Sequence, residues 1–163
     1  MASMYRVEAA AVNTTAAPAR IATGTAIKTL LQLTAPSTRT LTIVSWGISF
    51  DGVSASAVPV PVELIETTNV AGGTPTPIST ITKFNDANGP VSLATAGHSP
   101  TTEGTVTGTT RLLDYVDLTP NGGIYVRDFP LGREPIIPVS QVLRIRTTSA
   151  ATVNAQCYIV WEE

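Results

Sequence analysis

The final stretch, Gln141–Glu163, contains two alternating runs that leave little choice of local structure. In Thr152–Glu163 the odd positions Val153, Ala155, Cys157, Ile159 and Trp161 are apolar, while Asn154, Gln156, Tyr158 and Glu162 fall on the even face. Side chains of a β-strand point to opposite faces with period two, so this run is a strand with one buried face. Gln141–Thr148 repeats the pattern, with Leu143 and Ile145 directed inward and Arg144 and Arg146 outward. Only Ser149-Ala150-Ala151 separates the runs, and that spacing predicts an antiparallel hairpin whose two strands share a buried face. Such a hairpin requires a second apolar layer to cover it.

The rest of the chain has the material for that layer. At 163 residues it suits one domain with a core that needs no staples. Charged residues make up 13% of the chain, about half the usual share, and Thr, Ser, Ala, Val, Gly and Pro take their place. Straight-chain helix formers are scarce and β-branched residues abundant, which favours strand, and 12 Gly with 12 Pro punctuate the chain often. The expectation is an all-β protein.

Read in order, Met4–Val12 is a first strand or a projecting arm, and residues 1–25 are set apart from a single domain over 26–163. Thr25–Thr34 fits strand better than helix, because Thr flanks it and Pro36 stops it. Thr40–Phe50 reads as a central strand with Val44, Trp46, Ile48 and Phe50 on one face and Leu41 and Ile43 on the other. Gly47 inside it predicts a bulge or a close backbone approach. Val60–Thr67 follows, its start placed at an edge or bulge by Pro59 and Pro61. Ile78–Phe84 is a short strand, Asn85–Gly108 has no period beyond a helical turn at Val91–Ala96, and Thr109–Leu118 and Ile124–Phe129 flank Pro120-Asn121-Gly122-Gly123 as a hairpin. Eight or nine strands with long loops fit an antiparallel β-sandwich of jelly-roll type.

The residues that carry chemistry elsewhere are thin here. With one Cys there is no intramolecular disulfide and no thiolate cluster, and Cys157 reads as a small buried hydrophobe. His98 stands near Ser99 and Glu103 but reads as a solvated loop residue, since sequence adjacency is not triad geometry. Glu63 with Glu66, and Asp114 with Asp117, straddle opposite faces of their strands, which suits solvated faces and turns better than a glycosidase pair. Asp51-Gly52 and Asp86–Gly89 are turns rather than calcium loops, and no glycine-rich phosphate loop is present. Tyr115, Tyr125, Phe129 and Trp161 are the candidates for an aromatic sugar-stacking surface. A net charge of −2 without a basic cluster argues against nucleic acid as a partner. The absence of a long apolar run or a signal pattern argues against a membrane or secretory destination. No catalytic, cofactor-binding or metal-binding residue is assigned, and no cofactor is expected.

Several blocks resemble small structural proteins of tailed bacteriophages, encoded among virion and head genes. They are Val44-Ser45-Trp46-Gly47-Ile48-Ser49-Phe50-Asp51-Gly52, Ala55-Ser56, Val60-Pro61-Val62-Glu63-Leu64, Pro120-Asn121-Gly122-Gly123, Phe129–Pro135 and Tyr158–Glu163. The resemblance implies a head decoration (cement) protein, a non-enzymatic β-sandwich made in the host cytoplasm. It would assemble as a homotrimer and bind the major capsid protein on the outer surface of the virion, linking capsomers. The arm Met1–Thr25 and the loop Asn85–Gly108 would lie across the shell. A tail or fibre component with a carbohydrate-binding face is the alternative.

Overall fold

Where the sequence alternates clearly the chain is extended, and the computed structural model describes residues 2–10, 15–68, 70–106 and 108–163. The strands are β1 (Met4–Glu8), β2 (Ile21–Ala22), β3 (Ile27–Thr34), β4 (Leu41–Phe50), β5 (Val60–Thr67), β6 (Val70–Ala71), β7 (Thr76–Ile78) and β8 (Thr82–Lys83). They continue with β9 (Thr95–His98), β10 (Thr105–Val106), β11 (Thr110–Leu118), β12 (Ile124–Asp128), β13 (Ile136–Ile137), β14 (Val142–Thr148) and β15 (Asn154–Glu162). The described residues contain no helix, so the turn expected at Val91–Ala96 is not formed, and its last residues enter β9.

Two antiparallel sheets pack face to face. The first runs β12-β4-β15-β1-β8, with β13 also on β4 and β2 on β15, and the second runs β11-β5-β14-β3-β9-β7. β6 and β10 form a separate ribbon. Among the eight strands of five residues or more, β1, β4, β12 and β15 lie in the first sheet and β3, β5, β11 and β14 in the second. Successive members of this set change sheet at every step except β5 to β11. The orders β1-β15-β4-β12 and β3-β14-β5-β11 are those of a jelly roll. The stretch between β5 and β11 widens both sheets, adding β8 beside β1 and β9 with β7 beside β3.

This topology overturns both expected hairpins. β14 pairs with β3 and β5, whereas β15 pairs with β1, β4 and β2, so the two alternating runs face each other across the core instead of lying side by side. β11 pairs with β5 and β12 with β4, so the Pro120–Gly123 turn also crosses between sheets. The single strand expected at Ile78–Phe84 is likewise divided, with β7 in one sheet and β8 in the other. Apolar faces are buried equally well by either arrangement, because sheets stack about 10 Å apart and a few residues span that gap as readily as a hairpin turn.

The predicted faces survive with one correction. Val153, Ala155, Cys157, Ile159 and Trp161 are all at most 1% exposed. In β4, however, Leu41 and Ile43 share the core with Trp46, Ile48 and Phe50. The β15 ladder passes from Val160↔Ser45 to Trp161↔Ile43, leaving Val44 unpaired as a bulge that reverses the parity of the strand. The close approach expected at Gly47 is made by Tyr158, whose ring would lie 2.6 Å from a Cβ placed there. Pro61 sits one residue beyond the β14 ladder, where no donor is needed from it. Tyr5 and Val7 are core residues, so Met4–Glu8 is a sheet strand and not an arm; Ala11–Thr14 fall outside the described residues.

Trp46, Trp161, Tyr5, Leu31, Leu33, Ile43 and Leu143 belong to one continuous core. Complete burial of each large apolar side chain is worth about 1.5–3 kcal/mol, against about 0–1 kcal/mol for an exposed ion pair. The rigidity of the body therefore comes from this core.

Candidate functional site

The acidic groups and the histidine occupy places that the sandwich itself assigns. Glu103 reaches the outer face of the second sheet, where its carboxylate accepts from the Thr29 backbone N–H at 2.7 Å, the Thr29 hydroxyl at 2.6 Å and Arg144 Nη1 at 2.8 Å. Arg144 points away from the core as its parity requires, yet it is only 1% exposed because Glu103 covers it. Glu63 accepts from Arg146 Nε at 2.7 Å and Glu66 from Arg111 Nε at 2.8 Å. Asp114, on the inward face of β11, accepts from Trp46 Nε1 at 3.1 Å and from the Tyr125 hydroxyl at 3.0 Å. Asp117 lies on the opposite face and takes the Tyr115 hydroxyl at 2.9 Å.

His98 is not the solvated loop residue its neighbours suggested. It ends β9, half-buried between Leu31 and Thr76, with Nδ1 enclosed and unpartnered. Burial, and then the charge of Lys28, hold its pKa below the ordinary imidazole value. Ser99 follows with φ of 41°, and its buried hydroxyl also lacks a partner. Since the Glu103 carboxylate is committed to Thr29 and Arg144, these three residues do not form a relay. Asp51 and Asp86 cap turns through Val53 and Asn88, and among the described residues no three His, Cys, Asp or Glu side chains gather as metal ligands would.

The four candidate aromatics do not share a surface. Trp161 is in the core, Tyr125 turns inward against Trp46 at a centroid distance of 5.3 Å, Phe129 is half-buried, and Tyr115 alone is largely exposed. On the outer face of the first sheet it is Tyr158 that stands up, leaning over Gly47 with the Arg6 guanidinium 4.3 Å above its ring. Arg6 also pairs with Glu8 at 2.9 Å, and Glu8 accepts from Gln156 at 2.8 Å. A shallow groove of about 290 Å³ runs between this cluster and Ile124 and Val126. A larger cleft of about 490 Å³ opens at the β7–β8 end beside Phe84, Ile78 and His98.

The surface that sequence reasoning missed is an apolar rim on the β11–β12 side. Ile124 is 71% exposed, Leu131 96%, and Val126, Leu112 and Ile136 more than half. The rim proper is Ile124 and Val126, side by side on the outer face of the first sheet opposite Ser49 and Gly47, with Leu131 in the turn after β12; Ile136 lies farther along β4 opposite Thr42, and Leu112, opposite Ile65, points to the outer face of the second sheet. One signal was legible in advance: Leu131 is a large apolar residue in a Pro-Gly turn, where burial is not on offer.

The chain matches no protein-family model, and neither a curated protein nor a solved structure shows significant similarity to it.

Proposed function

We propose that this chain is a bacteriophage virion structural protein, a decoration (cement) protein that binds the outer capsid surface, groups with copies of itself and stabilises the head by linking capsomers. The observation that carries this reading is the pair Ile124 and Val126, exposed side by side on the outer face of the first sheet, with fully solvated Leu131 in the turn after that strand. Neighbouring exposed apolar side chains on a stiff sheet are the kind of surface on which proteins meet. Jelly rolls serve viral capsids among other roles, and the fold supports the reading without selecting it.

The proposed shell contact differs from the one expected from the resemblance. Met4–Glu8 is built into the first sheet, and the Asn85–Gly108 loop is pinned to the body through Ser92 and Leu93 on the Glu163 carboxylate and through Glu103 on Thr29. The rim replaces them as the surface offered to the major capsid protein. The tail or fibre alternative draws less from the structure, because the Tyr158 ring is capped by Arg6 and the other aromatics are dispersed.

The test is an electron-microscopy map of the particle with co-sedimentation of purified chain on shells lacking it. Density on the outer shell with the rim against the capsid protein is the expected result, and Leu131→Asp, a change at a fully solvated side chain, abolishes retention without altering the fold. Absence from intact particles together with no retention on shells overturns the reading.

A further inference from the structure

The edges of the two sheets are not equally protected. Edge strands invite pairing with another chain, and folds blunt them with short strands, Pro, Lys, bulges or inward-pointing charges. Among the described residues, β8 has two residues and includes Lys83, and β7 has three and contains Pro77. β11 has a bulge at Leu113 and an inward-pointing acid in Asp114. β12 has one charge on its inward-facing side, Arg127, but no Pro, Lys or bulge: Ile124-Tyr125-Val126-Arg127-Asp128 pairs with β4 throughout and leaves its other side open.

The direction of its backbone groups is fixed by its neighbours. Phe50 N–H donates to the Gly123 carbonyl, and Phe129 N–H donates to the Val44 carbonyl, both at 2.9 Å. Residues two apart in an antiparallel ladder face the same partner, so Tyr125 and Arg127 also turn their backbone groups to β4. Ile124, Val126 and Asp128 turn theirs outward.

We infer that this edge pairs with the same edge of a second copy of this chain, antiparallel about a two-fold axis at Val126. The register follows from polarity and charge. An axis at Tyr125 joins only Ile124 with Val126 within the strand and leaves Asp128 beyond it, an axis at Arg127 joins only Val126 with Asp128 and sets Ile124 against donorless Pro130, an axis at Asp128 sets two carboxylates face to face, and an axis at Ile124 runs the pair off the strand. With the axis at Val126, every outward N–H and C=O of Ile124, Val126 and Asp128 finds a partner. The two Val126 side chains then meet, and the Asp128 carboxylates stand about 13 Å apart along the ladder. Arg127 of each copy falls opposite Tyr125 of the other, beside the Asp114 carboxylate that the Tyr125 hydroxyl already contacts, so cation meets ring and acid. The first sheets of the two copies join into one. The contact is independent of the shell, it sets a two-fold pair in place of the homotrimer that the resemblance implies, and its failure leaves the decoration reading standing.

The test uses the full chain in solution. Cα atoms of such a symmetric pair lie about 5.5 Å apart, within disulfide reach, and the native Cys157 is only 1% exposed. Val126→Cys is therefore expected to cross-link into a dimer under mild oxidation much faster than the exposed-site control Ser37→Cys. Val126→Pro removes an N–H that β4 does not use, and Val126→Lys adds an edge charge. Both are expected to sediment as monomers with an unchanged circular-dichroism spectrum where the wild type is dimeric. A wild type that is monomeric at its highest soluble concentration overturns the inference. So does a trimer indifferent to both substitutions, or Val126→Cys cross-linking no faster than the control.

Discussion

Arg144 and Glu103 form an ion pair on the outer face of the second sheet, with the guanidinium 1% exposed and Nη1 2.8 Å from Oε1. Arg144 Nε and Nη2 have no other partner, so Glu103 is what makes the buried charge tolerable. Removing one member of a buried pair costs about 3–5 kcal/mol, because the survivor is left uncompensated. Glu103→Ala is expected to lose stability in that range in urea unfolding, and Glu103→Gln less, since its amide oxygen still accepts from Thr29. A loss under about 1 kcal/mol for the Ala variant, the level of an exposed pair, would show that water replaces the carboxylate.

Gly47 is glycine because Tyr158 lies against it. A Cβ there would meet Tyr158 Cε1 at 2.6 Å and the Tyr125 carbonyl oxygen at 3.0 Å, while Arg6 holds the ring from above. Gly47→Ala is expected to cost about 1–3 kcal/mol through overpacking. Adding Tyr158→Ala should recover part of that loss, so the double-mutant cycle reports a coupling between the two positions.

His98 gives the protein a pH dependence of known sign. Its folded-state pKa lies below the ordinary 6.5, through burial and then Lys28, so the unfolded chain takes up the proton first as pH falls. Stability is therefore expected to decline as pH drops through 6.5 toward the lower folded-state value, and to recover above it. As the one histidine in the chain, its replacement by Asn should flatten the denaturation midpoint between pH 7.5 and 5.5. An unchanged slope would place the dependence elsewhere.

Cys157 is fully enclosed, and burial followed by the charge of Glu8 pushes its thiol well above the ordinary range. Thiolate is the reactive form. A disulfide reagent should leave the native protein unmodified and label it at the rate of global unfolding, rising with urea in step with loss of the circular-dichroism signal. Rapid labelling of the native state would contradict the burial.

How much of this was written in the chain can be judged from particular strands. The parity of Val153 through Trp161 and of Val60, Val62 and Leu64 was readable, and these side chains are all buried as read. Leu41 and Ile43 were assigned to the wrong face because the bulge at Val44 shifts the register without a marker in the residues themselves. Arg144 was legible as outward-facing but not as buried, since its cover arrives from Glu103 in a stretch with no period. The rim was missed for a related reason, in that exposure of Ile124 or Val126 depends on which strand lies alongside.

The sequence by itself determined that the chain would be strands, which side chains of most strands would leave water, and that two apolar layers had to meet. Tertiary structure alone decided which strand lies beside which. β14 and β15 are separated by a short connection that fits a hairpin and a sheet-to-sheet crossing equally well. The crossing prevails because β3 and β5 take both edges of β14 while β1 and β4 take those of β15. Side-chain alternation is a local property with a period of two residues, whereas the competition for backbone hydrogen bonds is settled between segments far apart in the chain.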